Sequence, residues 1–187
     1  MRIGLISDTH GLLRPQALDF LRGSDHILHA GDIVGADILD RLAELAPLTA
    51  VRGNNDPGAW AQDLPDTAIL NLGGVAIHIL HDLKDLAIDP AANGVRVVVT
   101  SHSHKPACEE RGGVLYVNPG AAGPRRFKLP VSVGELLVDD GRVFDSRTEL
   151  VLFYAFLCIM SKLVSISTAV EARGVSTSTM HRWEAFG

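Results

Sequence analysis

Five short apolar runs in this chain each stop at a polar cluster. Residues 2–7 run into Asp8-Thr9-His10-Gly11, and residues 26–30 end in His29-Ala30-Gly31-Asp32. Residues 48–52 stop at Gly53-Asn54-Asn55-Asp56, residues 75–80 at His81-Asp82, and residues 95–100 at Ser101-His102-Ser103-His104. Runs of this length bounded by Gly, Asp and Asn read as buried strands. Between them, 14–21 and 36–45 carry apolar residues at helical spacing, and Pro47 ends the second. The result is an α/β pattern. Ligands of such sheets collect beyond the carboxyl ends of the strands. All five clusters are therefore expected along one edge of the fold.

The rest of the first 150 residues reads as hairpins. Gly73-Gly74 splits 67–72 from 75–81, Gly112-Gly113 splits 107–111 from 114–118, and Asp140-Gly141 splits 131–138 from 142–148. Antiparallel pairs joined to βαβ units predict sheets of mixed direction.

Composition narrows the function classes. The 187 residues are 47% hydrophobic, too apolar for a disordered chain. The net charge is −5, so no basic surplus points to nucleic acid or an anionic membrane. Two cysteines, Cys108 and Cys158, cannot build a disulfide framework. The first ten residues lack an apolar signal core, and a cytoplasmic enzyme is expected.

Residues 151–187 differ from what precedes them. They hold five of the ten aromatic residues and none of the nine prolines. The apolar run 150–160 is too short for a bilayer, which needs about 20 residues. Residues 168–183 have the turn-and-helix pattern of a helix-turn-helix unit around Gly174-Val175-Ser176, with little chain left for a third helix. The expected organisation is a catalytic domain over 1–150 and a C-terminal extension over 151–187, which reads as a packing extension or a fused or frame-shifted remnant.

The clusters share one chemistry. Asp8, His10, Asp32, Asn54, His81, His102 and His104 offer carboxylate, amide and imidazole donors and no thiolate, a set suited to Mn, Fe, Zn, Co or Ni. Seven donors are too many for one ion and fit two that share a carboxylate. On an extended segment Asp8-x-His10 and His102-x-His104 would each turn both side chains to one face.

This motif series resembles the binuclear metallophosphoesterase superfamily, the calcineurin-like phosphoesterases. The small size and Val117-Asn118-Pro119-Gly120 resemble its YfcE-type phosphodiesterases. The resemblance covers residues 1–150. It implies a four-layer αββα sandwich of two mixed β-sheets flanked by helices. It further implies that Asp8, His10 and His104 hold one ion, that Asn54, His81 and His102 hold the other, and that Asp32 bridges them. The cofactors would be two divalent ions, Mn first, with Ni, Zn, Fe or Co as alternatives. A metal-bridging hydroxide would attack a small phosphodiester or phosphoester in line, without a covalent intermediate.

Three departures stand out. The superfamily's proton-donating His in Gly-Asn-His is Asn55 here, and an amide is no general acid. His29, Asp56 and His78 are substitutes by position. The usual Gly before the final His-x-His is Ser101. The acidic residue often found three positions after Gly-Asp is absent; Asp32 is followed by Ile33-Val34-Gly35. Asn118, Arg125 and Arg126 are candidate substrate contacts, an Arg being suited to a phosphoryl oxygen. The rival readings are a non-catalytic scaffold on this fold, for which the retromer subunit is the precedent, and a DNA-linked role for the tail. No membrane partner is expected, nucleic acid is not the expected partner, and a homo-oligomer is left open.

Overall fold

A computed structural model describes residues 1–126 and 128–150. Both readings made of residues 151–187 lie outside the described residues. Among the described residues no helix is long and apolar enough to cross a membrane.

Among the described residues, ten strands form two five-stranded mixed sheets. The first contains β1 (Arg2–Ile6), β2 (His26–His29), β3 (Leu48–Ala50), β9 (Ser132–Asp139) and β10 (Arg142–Leu150), in the order β10-β9-β1-β2-β3. The second contains β4 (Thr67–Leu72), β5 (Val75–Leu80), β6 (Val97–Val99), β7 (Ala107–Arg111) and β8 (Val114–Asn118), in the order β4-β5-β6-β8-β7. The strands β1, β2 and β3 are parallel, as are β5, β6 and β8. The three expected hairpins are antiparallel pairs. Every strand read from the sequence is present, with ends shifted by up to two residues.

The period of two along each strand sorts the core into layers. Ile3, Leu5, Leu28 and Ala30 from one sheet meet Val75, Ile77, Ile79, Val97 and Val99 from the other. Burial of each larger side chain contributes on the order of 1.5–3 kcal/mol. The opposite face of the first sheet, with Ile6, Ile27 and Val133, is covered by α1 (Pro15–Leu21) and α2 (Ala36–Ala43). Those helices bury Ala17 and Leu21, and Ile38 and Leu42, each pair four residues apart. Val97, Val98 and Val99 are all fully buried, because Val98 joins a third cluster on the outer face with Leu80, Val95 and Val114. Leu83, Leu86 and Ile88 cover that cluster from a segment with a single 3-10 turn (Leu83–Asp85). The fold is the expected αββα sandwich, and its fourth layer is thin.

Arg2 fastens α1 to the sheet. Its guanidinium donates to the Glu135 carboxylate and to the carbonyls of Phe20 and Arg22, and lies 5.1 Å from the centre of the Phe20 ring. Those carbonyls at the end of α1 lack helical partners, and a cation suits them.

Candidate metal centre

The parallel strands deliver the polar clusters to one edge, and backbone hydrogen bonds fix the loops against each other. Asp8 N–H donates to the Gly31 carbonyl (3.0 Å), His10 N–H to Asp32 (2.9 Å) and Gly11 N–H to Ile33 (2.8 Å). In the second sheet Ser101 N–H donates to His81 (2.9 Å). The sheets are tied where His81 Nδ1 donates to the Ala30 carbonyl at 2.8 Å. That bond turns His81 Nε2 toward the site.

All seven candidate ligands gather in two adjoining groups. In the first, donor atoms of Asp8, His10, Asp32 and His104 lie within 4.8 Å of one another. His104 Nε2 is 3.4 Å from Asp8 Oδ1 and 3.4 Å from His10 Nε2. In the second, His81 Nε2 is 3.1 Å from Asn54 Oδ1, and His102 Nδ1 is 3.0 Å from the same oxygen. Asp32 stands between them: Oδ2 is 3.6 Å from His10 Nε2, and Oδ1 is 3.4 Å from His81 Nε2.

The local conformation differs from the extended dipeptides read from the sequence. Asp8, His10, Asp32, His102 and His104 all have φ between +44° and +62°, a region that non-glycine residues seldom occupy. His102 and His104 also part company, one to each group. The left-handed turns replace the simple alternation of a strand. Such conformations cost of order 1 kcal/mol or more each and persist where surrounding bonds over-determine them.

Asp56 supplies much of that surrounding. Its carboxylate accepts backbone N–H groups from Asp32 (3.0 Å), Ile33 (2.6 Å), Val34 (2.8 Å) and Gly53 (2.7 Å). The two loops touch so closely that a Cβ on Gly53 would lie 2.2 Å from Asp32 N and Oδ1. Only glycine fits there. Asn55 completes the clasp: its backbone N–H donates to Asp32 Oδ1 (2.8 Å) and its side-chain amide to Oδ2 (2.7 Å).

The electrostatics suit cations. Burial works to raise the pKa of Asp32, but hydrogen bonds from His81 and Asn55 outweigh it and hold the carboxyl well below the usual range. Burial pushes Asp8 up to about 6, against the hydrogen bond from Ser101. Burial and then Arg126 lower His104 to about 4, and burial lowers His10. Neutral imidazole is the ligating form. Asp8 Oδ1 is buried with no hydrogen-bond partner. An orphaned carboxylate oxygen facing neutral imidazoles is a poor resting arrangement and a good one around a divalent ion.

The other candidate residues divide. Arg126 reaches the first group, with Nη2 3.4 Å from His10 Nε2. Arg125 instead donates to the Leu129 carbonyl of its own loop. Asn118 is buried and occupied: its amide donates to the Ser101 carbonyl (2.8 Å) and Ser103 Oγ (3.1 Å), and its oxygen accepts Gly120 N–H. It holds the His102–His104 loop and has no donor left for substrate.

His29 is fully buried. Its Nδ1 accepts from Gly31 N–H at 3.2 Å, which leaves Nε2–H to donate to Thr9 Oγ1 at 3.1 Å. Burial drives its pKa down to about 3. The unfolded chain takes up that proton near pH 6.5, and the folded chain refuses it until about pH 3. Stability is therefore lost as pH falls through this window, by about 2 kcal/mol between pH 6.5 and 5. Urea unfolding at the two pH values should show this loss shrinking in His29→Gln; an equal loss in both proteins removes His29 as its source.

Two residues beside the candidate ligands escaped the sequence reading. Ser101 Oγ donates to Asp8 Oδ2, so the departure from Gly binds a candidate ligand. Asp82 Oδ2 lies 3.6 Å from His102 Nε2, beside that ring. Asp82 was visible beside His81 in the motif. Nothing in the sequence showed where Ser101 Oγ would point.

Comparison with known proteins agrees with this geometry. The model of the calcineurin-like phosphoesterase superfamily domain matches residues 1–141. A probable metallophosphoesterase of Methanocaldococcus jannaschii is 34% identical over 153 residues, covering 75% of this chain and 77% of the relative. The phosphodiesterase YfcE of Escherichia coli is 28% identical over 166 residues, covering 73% of this chain and 87% of the relative. Among solved structures, Vps29 of Entamoeba histolytica complexed with zinc is similar at TM-score 0.64 and 26% identity, over 80% of this chain and 97% of that one. The chain belongs to the calcineurin-like phosphoesterase superfamily.

Proposed function

We propose that the protein is a binuclear metal-dependent phosphodiesterase. The observation that carries this reading is Asp32, whose two oxygens face different donor groups. In this reading Asp8, His10 and His104 hold one ion, Asn54, His81 and His102 hold the other, and Asp32 is shared. Two such ions, Mn first, with Ni, Zn, Fe or Co as alternatives, supply Lewis acidity at the phosphoryl oxygens and lower the pKa of the attacking water. The protein's own residues position and neutralise. Asn55 keeps Asp32 oriented through two hydrogen bonds. Arg126 offers a fixed positive charge beside His10 for a non-bridging phosphate oxygen. Asp8 is kept in place by Ser101. Relatives named as phosphodiesterase and metallophosphoesterase support the chemistry.

The likeness to Vps29 supports a second reading, a scaffold on the same fold. One experiment separates them. Purified protein with added Mn²⁺ or Ni²⁺ is expected to hydrolyse an activated aryl phosphodiester, and a chelator to remove the activity reversibly. No turnover with any of the five candidate metals defeats the enzyme reading and leaves the scaffold.

A further inference from the structure

The three groups left by the sequence as stand-ins for a proton donor all face elsewhere. His29 is fully buried with both ring nitrogens engaged by Gly31 and Thr9. The Asp56 carboxylate is consumed by four backbone N–H groups. His78 lies on β5 between Ile77 and Ile79, which enter the inter-sheet core, so its ring emerges on the opposite face, against Thr67 Oγ1. Among the described residues, the Asn55 amide and the Arg126 guanidinium are donors beside the centre that belong to no candidate ligand. Neither releases a proton at neutral pH. Both can stabilise negative charge, and Arg126 carries a full positive charge next to His10.

We propose that the leaving oxygen departs unprotonated, so that this site selects phosphoanhydrides, with aryl esters as their laboratory equivalent, over alkyl phosphodiesters. The inference rests on the phosphodiesterase reading and narrows its substrate class. In the step, the oxygen of water forms a bond to phosphorus as the P–O bond to the leaving group breaks. The electron pair of that bond leaves on the departing oxygen. One proton of the water passes to solvent, and the other stays on the new phosphate until it ionises.

The stability of the departing anion then decides the rate. A phosphate released from an anhydride has a conjugate-acid pKa of about 6. A phenol has about 10. An alcohol lies near water, at about 15.7. Without an acid to level these differences, the anhydride leaves most easily and the alkoxide least. Arg126 favours an anionic leaving group for the same reason.

The test uses the metal-loaded full chain and a series of methyl aryl phosphodiesters whose phenols span pKa values from about 7 to 10. It adds one dinucleoside pyrophosphate and one dinucleoside monophosphate, an anhydride and an alkyl diester with similar ends. The expected result is a fall in kcat/KM of roughly fivefold to tenfold per unit of phenol pKa. The pyrophosphate should be cleaved at least about 10³-fold faster than the alkyl diester. A flat dependence across the phenols, or equal cleavage of the two dinucleotides, overturns this inference and leaves the hydrolase standing. No turnover of any compound with any candidate metal overturns both.

Discussion

Replacing Asp32 with alanine is expected to abolish phosphoester hydrolysis, with kcat/KM falling about 10³-fold or more, on the order of 4 kcal/mol of lost transition-state stabilisation. The geometry explains why this single carboxylate should matter so much. It has one oxygen toward His10 and the other toward His81, so its loss damages both donor groups at once. It also accepts both hydrogen bonds from Asn55. Metal content should fall with activity: elemental analysis is expected to find the variant depleted of both ions, whereas His104→Ala should chiefly deplete one. Full activity in Asp32→Ala would remove the shared-carboxylate assignment.

The second large effect is expected at Asp56, which in this structure touches no candidate ligand side chain. Asp56→Asn keeps the size and one acceptor oxygen. The new NH₂ group must then face N–H donors of the Asp32 and Gly53 loops, which it cannot accept from. Losing two charge-assisted bonds and opposing donor to donor is expected to cost about 3 kcal/mol. For a domain of this size that lowers Tm by roughly 6–12 °C. Because Asp32 and Gly53 are set by the same contacts, metal affinity should fall as well. A variant with unchanged Tm and metal content would show that the loops hold themselves.

Much of the candidate site could be seen in the chain because strand ends are local. An apolar run that stops at Asp, Asn, Gly or His marks where a buried strand meets solvent, whichever sheet it joins. That is why Asp8, Asp32, Asn54, His81 and His102 could all be placed on one edge before any contact was known. The supports were less visible. Ser101 on Asp8 joins residues 93 apart in sequence, and no local pattern encodes the direction of its hydroxyl. Asn118 and Arg125 looked like substrate contacts because amides and guanidiniums bind phosphate. Asn118 instead satisfies a backbone carbonyl of the neighbouring loop, and Arg125 donates to a carbonyl of its own.

The series of polar clusters after apolar runs determined, by itself, the α/β class, the edge that carries the site and the donor chemistry available there. These follow from periodicity and residue type, which are local properties. Only the tertiary structure decided the backbone conformation that divides the donors in the way the family resemblance implied. His102 and His104 are two residues apart, yet left-handed backbone at both sends one to Asn54 and His81 and the other to Asp8 and His10. It also decided which polar groups were already spent. A hydrogen-bonding side chain is available for chemistry only when the fold has not engaged it, and that depends on partners distant in sequence. His29, Asp56 and Asn118 were engaged in this way, and Arg126 was left facing the centre.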